Sequence, residues 1–222
     1  MRKCLPLAVY IFGLWLLTAQ CQAAKITNSI YTSVDPINPE SILIQSIIEI
    51  TGDIEAGDDE KLKENFVRVV MKRNALVQKD NRKSYTKHNV FYISSGGGQV
   101  NAAFDIAKVL KQIQASGTTM IAVKGTCASA CAIVLFSLDS RFARLCDRIG
   151  VHRAAISGVE REETFSGSTE IADYLIKSGV PWAVVKKMLL TSASNVSWLT
   201  LEDMQLAHLS VLPGQCKNEP IP

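Results

Sequence analysis

Strong charge of either sign is missing from this chain. Its 222 residues carry a formal net charge of +3, from 24 basic and 21 acidic side chains. Arg2 and Lys3 supply most of that balance, because residues 1–24 contain no acid. Nucleic-acid binding therefore has no electrostatic footprint. The basic stretch with Lys79, Arg82, Lys83 and Lys87 has no aromatic platform beside it and reads as a solvated loop. Histidine is scarce, with only His88, His152 and His208, and none stands at ligand spacing from a cysteine. A cysteine–histidine metal centre is excluded on that pattern, and neither metal nor cofactor is expected. Internal repeats and low-complexity tracts are absent as well.

Long apolar runs are confined to one place. Leu5 to Leu17 follows the basic start and leads to the small-residue stretch Cys21-Gln22-Ala23-Ala24. This is the layout of a secretory signal peptide, expected over residues 1–24 and removed on export. The run is short for a membrane anchor, which needs roughly 20 apolar residues. A lipoprotein signal calls for a small residue before Cys21, where Gln20 stands. Residues 25–222 then form a single domain with room for a sizeable core and no membrane attachment. A periplasmic or secreted location follows.

Four cysteines remain after cleavage, Cys127, Cys131, Cys146 and Cys216, which allow two bridges and three connectivities. Cys127 and Cys131 would lie one helical turn apart with side chains pointing the same way, poor geometry for joining each other. Cys146 is the better partner for one of them.

Periodicity gives the framework. Residues 25–40 look irregular, with Pro36 and Pro39 marking turns. Ser41 to Ile50 reads as a buried strand, and Glu60 to Leu76 as a helix burying Leu62, Phe66, Val69 and Val70. Val90 to Ile93 is a short strand ending at Ser94-Ser95-Gly96-Gly97-Gly98. Helical spacing follows through Val100, Ala103, Phe104, Ala107 and Leu110. Met120 to Val123 is the next strand. Ala130 to Ser137 is a helix apolar all round, and Arg148 to Val151 a strand leading into His152. Residues 153–168 form a long polar connection of the kind used as lids. Ser168 is placed to cap a helix over Thr169 to Ser178 that Gly179 ends, and Pro181 opens another to about Leu190. Thr200-Leu201-Glu202-Asp203 has the form of a capping box. Strands alternating with helices predict an α/β domain with a mostly parallel sheet.

Chemistry concentrates at three points. Thr126-Cys127-Ala128-Ser129-Ala130-Cys131 is a small-residue turn that can present a serine hydroxyl at a helix start. Such a serine is usually only a cap, and as a nucleophile it needs a base. His152 is the one histidine that follows it in strand–helix–strand order. Backbone N–H groups of the glycine loop can hold a developing oxyanion. That loop has neither the lysine and hydroxyl of a P-loop nor a dinucleotide spacing.

Phe91 to His152 resembles the Clp-type serine peptidases of the crotonase-like superfold. The family's Ser-Pro-Gly-Gly loop is represented by Ser95-Gly96-Gly97-Gly98, its Ala-Ser-Met turn by Ala128-Ser129-Ala130, and its base strand by Arg148-Ile149-Gly150-Val151-His152. The resemblance spans roughly residues 42–210. It implies a repeated ββα spiral with C-terminal helices, with Ser129 as nucleophile and His152 as general base. Gly98 and Ala130 become oxyanion donors, and Gly96 and Gly97 part of a substrate-binding loop. The Cys-Ala-Ser-Ala-Cys form is similar to exported, periplasmic Clp-like proteins of bacteria. Clp peptidases form rings, so a homo-oligomer is an expectation by resemblance.

One part of the family pattern is missing. The aspartate that orients the histidine has its register near Ser192, within Thr191-Ser192-Ala193-Ser194-Asn195, and no carboxylate is there. Asn195 is the candidate third member, with Asp203 as the alternative. The expected function is an exported serine hydrolase, a peptidase acting on short or unfolded peptides. The alternative is a weak or inactive scaffold that binds peptide or protein partners. A crotonase-type acyl-CoA enzyme would need no serine–histidine pair, and a serine–lysine dyad would recruit Lys186 or Lys187.

Overall fold

The computed structural model describes residues 6–11, 14–19, 23–38, 40–79, 84–155 and 165–213. Strands β1 (Pro6–Ile11) and β2 (Leu14–Ala19) pair antiparallel as a sheet of their own. All other strands join one eight-stranded sheet. It contains β3 (Lys25–Val34), β4 (Ile42–Thr51), β5 (Tyr85–Ser95), β6 (Thr119–Ala128) and β7 (Arg141–Arg144). The remaining members are β8 (Arg148–Val151), β9 (Ser197–Trp198) and β10 (Ser210–Leu212). The main path runs β10-β7-β6-β5-β4-β3. Every pairing from β10 to β4 is parallel, and β3 closes one edge antiparallel to β4. This is the α/β architecture of mostly parallel pairing expected from the strand–helix alternation.

Burial follows the strand pleat. Along β4, Ile44, Ser46, Ile48 and Ile50 turn inward. Each such isoleucine contributes roughly 1.5–3 kcal/mol by leaving water. Helix α1 (Asp58–Lys79) buries Leu62 and Val69, and α2 (Val100–Ala115) a broad face from Ala102 to Ile113. All six residues of α3 (Ala130–Leu135) are buried, as the unbroken apolar run predicts. The chain then forms α4 (Phe165–Lys177), α5 (Trp182–Leu190) and α6 (Leu201–Leu206).

β6 has two neighbours on one side. Ile121 and Ala122 pair with β7, whereas Thr126, Cys127 and Ala128 pair with β8. The strand turns between these stretches at Gly125, whose φ of 95° suits glycine. Buried Asp147 fixes the bend: its carboxylate accepts from Gly125 N at 2.8 Å and from Arg144 N at 2.7 Å. β8, and with it His152, is thereby directed alongside the end of β6.

Three expectations are corrected. Residues 25–34 are strand, not irregular: Ile26, Asn28 and Ile30 alternate inward, but Thr, Asn and Ser between the isoleucines weaken the pattern. β5 begins at Tyr85, inside the supposed basic loop, because it pairs with β4 along its whole length. Ser168 lies within α4 and is not its cap; its buried hydroxyl accepts from Ala154 N at 3.1 Å.

Candidate active site

Ser129 occupies a sharp turn between β6 and α3. Its N–H extends the ladder by donating to Gly150 O at 2.9 Å, and its carbonyl accepts from Ala132 N at 2.9 Å. Between those anchors the backbone takes φ 58° and ψ −128°, a conformation costly for a residue with a Cβ. The serine stands at the N-cap position of α3, yet its side chain makes no capping hydrogen bond. The role serine usually plays at a helix start is therefore not what this hydroxyl does.

The glycine loop abuts it. A Cβ on Gly97 would lie 2.6 Å from Ser129 Cβ and 3.0 Å from its Oγ. Gly98 is wedged against the other side: a Cβ there would meet Ile54 O at 2.1 Å, and its φ is 139°. Ile54 holds the loop through N–H to Gly97 O and through its own carbonyl, which accepts from Gln99 N, both at 2.8 Å. The Gly97 N–H donates to Ser95 Oγ at 3.1 Å. The N–H groups of Gly98 and Ala130 donate to no acceptor among the described residues. For Ala130 this follows from its place in the first turn of a helix. Gly96 is exposed on the same loop.

His152 follows β8 directly and is half-buried. It lines one small cavity together with Ser129 and Ala130. The walls of this cavity of about 20 Å³ are otherwise mostly apolar, including Ala132, Ile133, Ile171, Leu175 and Met188. His152 Nδ1 lies 2.7 Å from the Arg153 carbonyl oxygen. A carbonyl only accepts, so the neutral ring carries its proton on Nδ1 and keeps a lone pair on Nε2. No hydrogen bond joins the ring to Ser129 Oγ in this form; such contacts are commonly long before substrate binds. Neither His88 nor His208 lines the cavity.

The predicted third members are engaged elsewhere. Asn195 is exposed and donates to Ser192 Oγ at 2.9 Å within its own turn. Asp203 completes the capping box with Thr200 and pairs with Lys187. Burial opposes its ionisation, but hydrogen bonds from Lys187 and Thr200 outweigh that and hold its carboxyl below the usual 3.8. Lys187 is thereby committed to Asp203, and neither Lys186 nor Lys187 lines the cavity. The antiparallel ladder pairs Gly150 with Trp198 and Val151 with Ser197. The ladder ends there, and Arg153 N donates instead to Thr191 O at 3.0 Å. Val196 packs over Gly150, where an added Cβ would meet its Cγ1 at 2.4 Å. Neither Asn195 nor Asp203 bonds the ring. Sequence reasoning missed Val196 because β9 is only two residues long.

The cysteine expectation is overturned. Cys127 and Cys131 are joined to each other, Cα atoms 5.2 Å apart. They do not share a helix: Cys127 lies one residue before the end of β6, Cys131 is the second residue of α3, and the turn at Ser129 brings them face to face. Cys146 is also disulfide-bonded, so its partner is neither of these; Cys216 lies outside the described residues.

Comparison with known proteins fits this geometry. A scan of protein families matches Clp protease over residues 43–167. The chain belongs to the Clp protease family. Its match takes in the glycine loop, the Ser129 turn and His152, so a peptidase-type function holds at the level of the family. Among solved structures, ClpP1 from Listeria monocytogenes is similar, with a TM-score of 0.55 at 17% identity, covering 76% of this chain and 92% of that one. An asparagine-to-aspartate mutant of that protein has a TM-score of 0.52 at 16% identity over the same shares. At such identities the likeness establishes the Clp/crotonase-like fold. A search of curated proteins finds no match to the sequence. Among the described residues no helix is long and apolar enough to cross a membrane.

Proposed function

We propose that this chain is an exported serine peptidase acting on short or unfolded peptides. Ser129 Oγ attacks the peptide carbonyl, and His152 Nε2 takes its proton and passes it to the leaving amine. The N–H groups of Gly98 and Ala130 hold the oxyanion, each donor worth on the order of 10²–10³ in rate. The observation that carries this reading is the uncapped Ser129 hydroxyl, held at a positive φ on a cavity shared with His152. Two free main-chain donors flank it. The Arg153 carbonyl fixes the ring tautomer in the way a carboxylate would, without the compensating charge. Export is supported by the leader pattern of residues 1–24 and by the bonded state of Cys127, Cys131 and Cys146, since disulfides persist in oxidising compartments. Self-association belongs to the same reading, with Trp182, Leu190 and Met71 among the exposed apolar side chains.

The second reading is a weak or inactive scaffold that binds peptides, and one observation favours it: Asn195 and Asp203, the candidates to orient His152, are both engaged elsewhere. Incubation with an unfolded protein or a peptide library, followed by mass spectrometry, separates the two. The peptidase reading expects new termini that vanish in Ser129→Ala. Binding without cleavage in both proteins would establish the scaffold.

A further inference from the structure

We propose that the Cys127–Cys131 disulfide clamps Ser129 in its elbow conformation, so that the nucleophile is positioned in the oxidised chain and not in the dithiol form. This rests on the peptidase reading of the same site. The bridge closes a ring containing only Ala128, Ser129 and Ala130 between its ends. One end is fixed in β6, which pairs with β5 and β8, and the other in the first turn of α3. Both cysteines are fully buried. Ser129 between them has the φ of 58° that non-glycine residues rarely adopt. Such strain persists only where the surroundings over-determine it, and corresponds to roughly 5- to 150-fold in population.

The bridge is the covalent tie across this turn. The methyl groups of Ala128 and Ala130 offer small packing area, and α3 is only six residues long. The two hydrogen bonds on Ser129's own N–H and carbonyl tie it to Gly150 and Ala132, and the bridge joins the strand to the helix across the turn. A ring this short constrains the unfolded chain little, so its main effect is local. Cys127 and Cys131 are therefore positioning residues, acting through Ser129. The bridge forms by exchange with an external disulfide: two cysteine thiols give up their protons and make the new S–S bond, and the external disulfide takes up those protons and leaves as two thiols. A dithiol reverses the step and is itself oxidised.

The test uses the exported chain with Cys146 and Cys216 replaced by serine. It is prepared oxidised, reduced by refolding with dithiothreitol, and reoxidised with oxidised glutathione. Acylation by a fluorophosphonate is followed against probe concentration, which separates the acylation rate constant from probe affinity. Reduction is expected to lower the rate constant about tenfold or more, with affinity and circular dichroism unchanged, and reoxidation to restore it. A Cys127→Ala/Cys131→Ala chain should match the reduced form and ignore dithiothreitol. Equal rate constants in the oxidised and reduced forms would overturn the clamp. If even the oxidised chain takes no label, the peptidase reading fails, and amide exchange over residues 126–133 decides the clamp alone. Protection lost on reduction supports it; unchanged protection rejects it.

Discussion

The two sides of this site are built to different standards. On the β6–α3 side the backbone is over-determined. Ser129 is held by a ladder bond to Gly150, a disulfide across it, and a glycine loop packed without room for another carbon. On the β9 side nothing is spent on orienting the base. Val196 packs over Gly150, Asn195 bonds within its own turn, and Asp203 serves a helix cap and Lys187. The difference teaches that nucleophile and oxyanion hole can be kept while the orienting carboxylate is given up, with a main-chain carbonyl left to hold the ring.

That contrast can be broken from either side. The largest effect belongs to Ser129→Ala, which should remove cleavage by on the order of 10³-fold or more without unfolding the chain. Kinetics on a peptide substrate with a thermal melt alongside check this. Next comes Gly98→Ala. Its Cβ would collide with Ile54 and sit at a φ that alanine resists. Displacement of the residue 98 N–H from the oxyanion position should lower kcat by about 10²–10³ with a smaller change in KM, and the melting temperature should drop as well.

A gain sharpens the comparison from the other side. Val196→Asp adds a carboxylate just past the Val151–Ser197 pair, beside the strand that leads into His152, and should raise kcat by about tenfold. In triad enzymes generally the aspartate contributes up to about 10⁴. No change in kcat would mean that residue 196 does not reach the imidazole.

The smallest effect is on stability. Asp203→Asn should cost about 1 kcal/mol through the weakened cap and leave kcat nearly unchanged. The folded carboxyl titrates below its unfolded value of 3.8. Its contribution is therefore fully present above that value and lost as pH falls through the lowered folded one. The half-exposed Lys187 partner keeps the gain modest. Acid unfolding curves of the two proteins should converge at low pH and separate above pH 4.

Legibility in the sequence divides along the same line. α3 and β8 were readable because their apolar runs are continuous and short, and they led directly to Ser129 and His152. β3 was not, since its inward isoleucines are diluted by Asn28 and by outward Thr and Ser. The disulfide was misread because a spacing of four suggests one helix, whereas a positive φ at Ser129 turns strand into helix between the cysteines. Asp147 gave no local signal for its bond to Gly125, which depends on β8 folding back beside β6. Val196 could be recognised only from a ladder two residues long, which no periodicity reveals.

The central claim is that Ser129 and His152 act as one unit. Its most direct test is the rate of fluorophosphonate acylation at Ser129, mapped by mass spectrometry in the wild-type chain and in His152→Gln. The account predicts an adduct on Ser129 in the wild-type chain and a loss of rate of about 10²–10⁴ in the variant. Equal rates in the two proteins would contradict it.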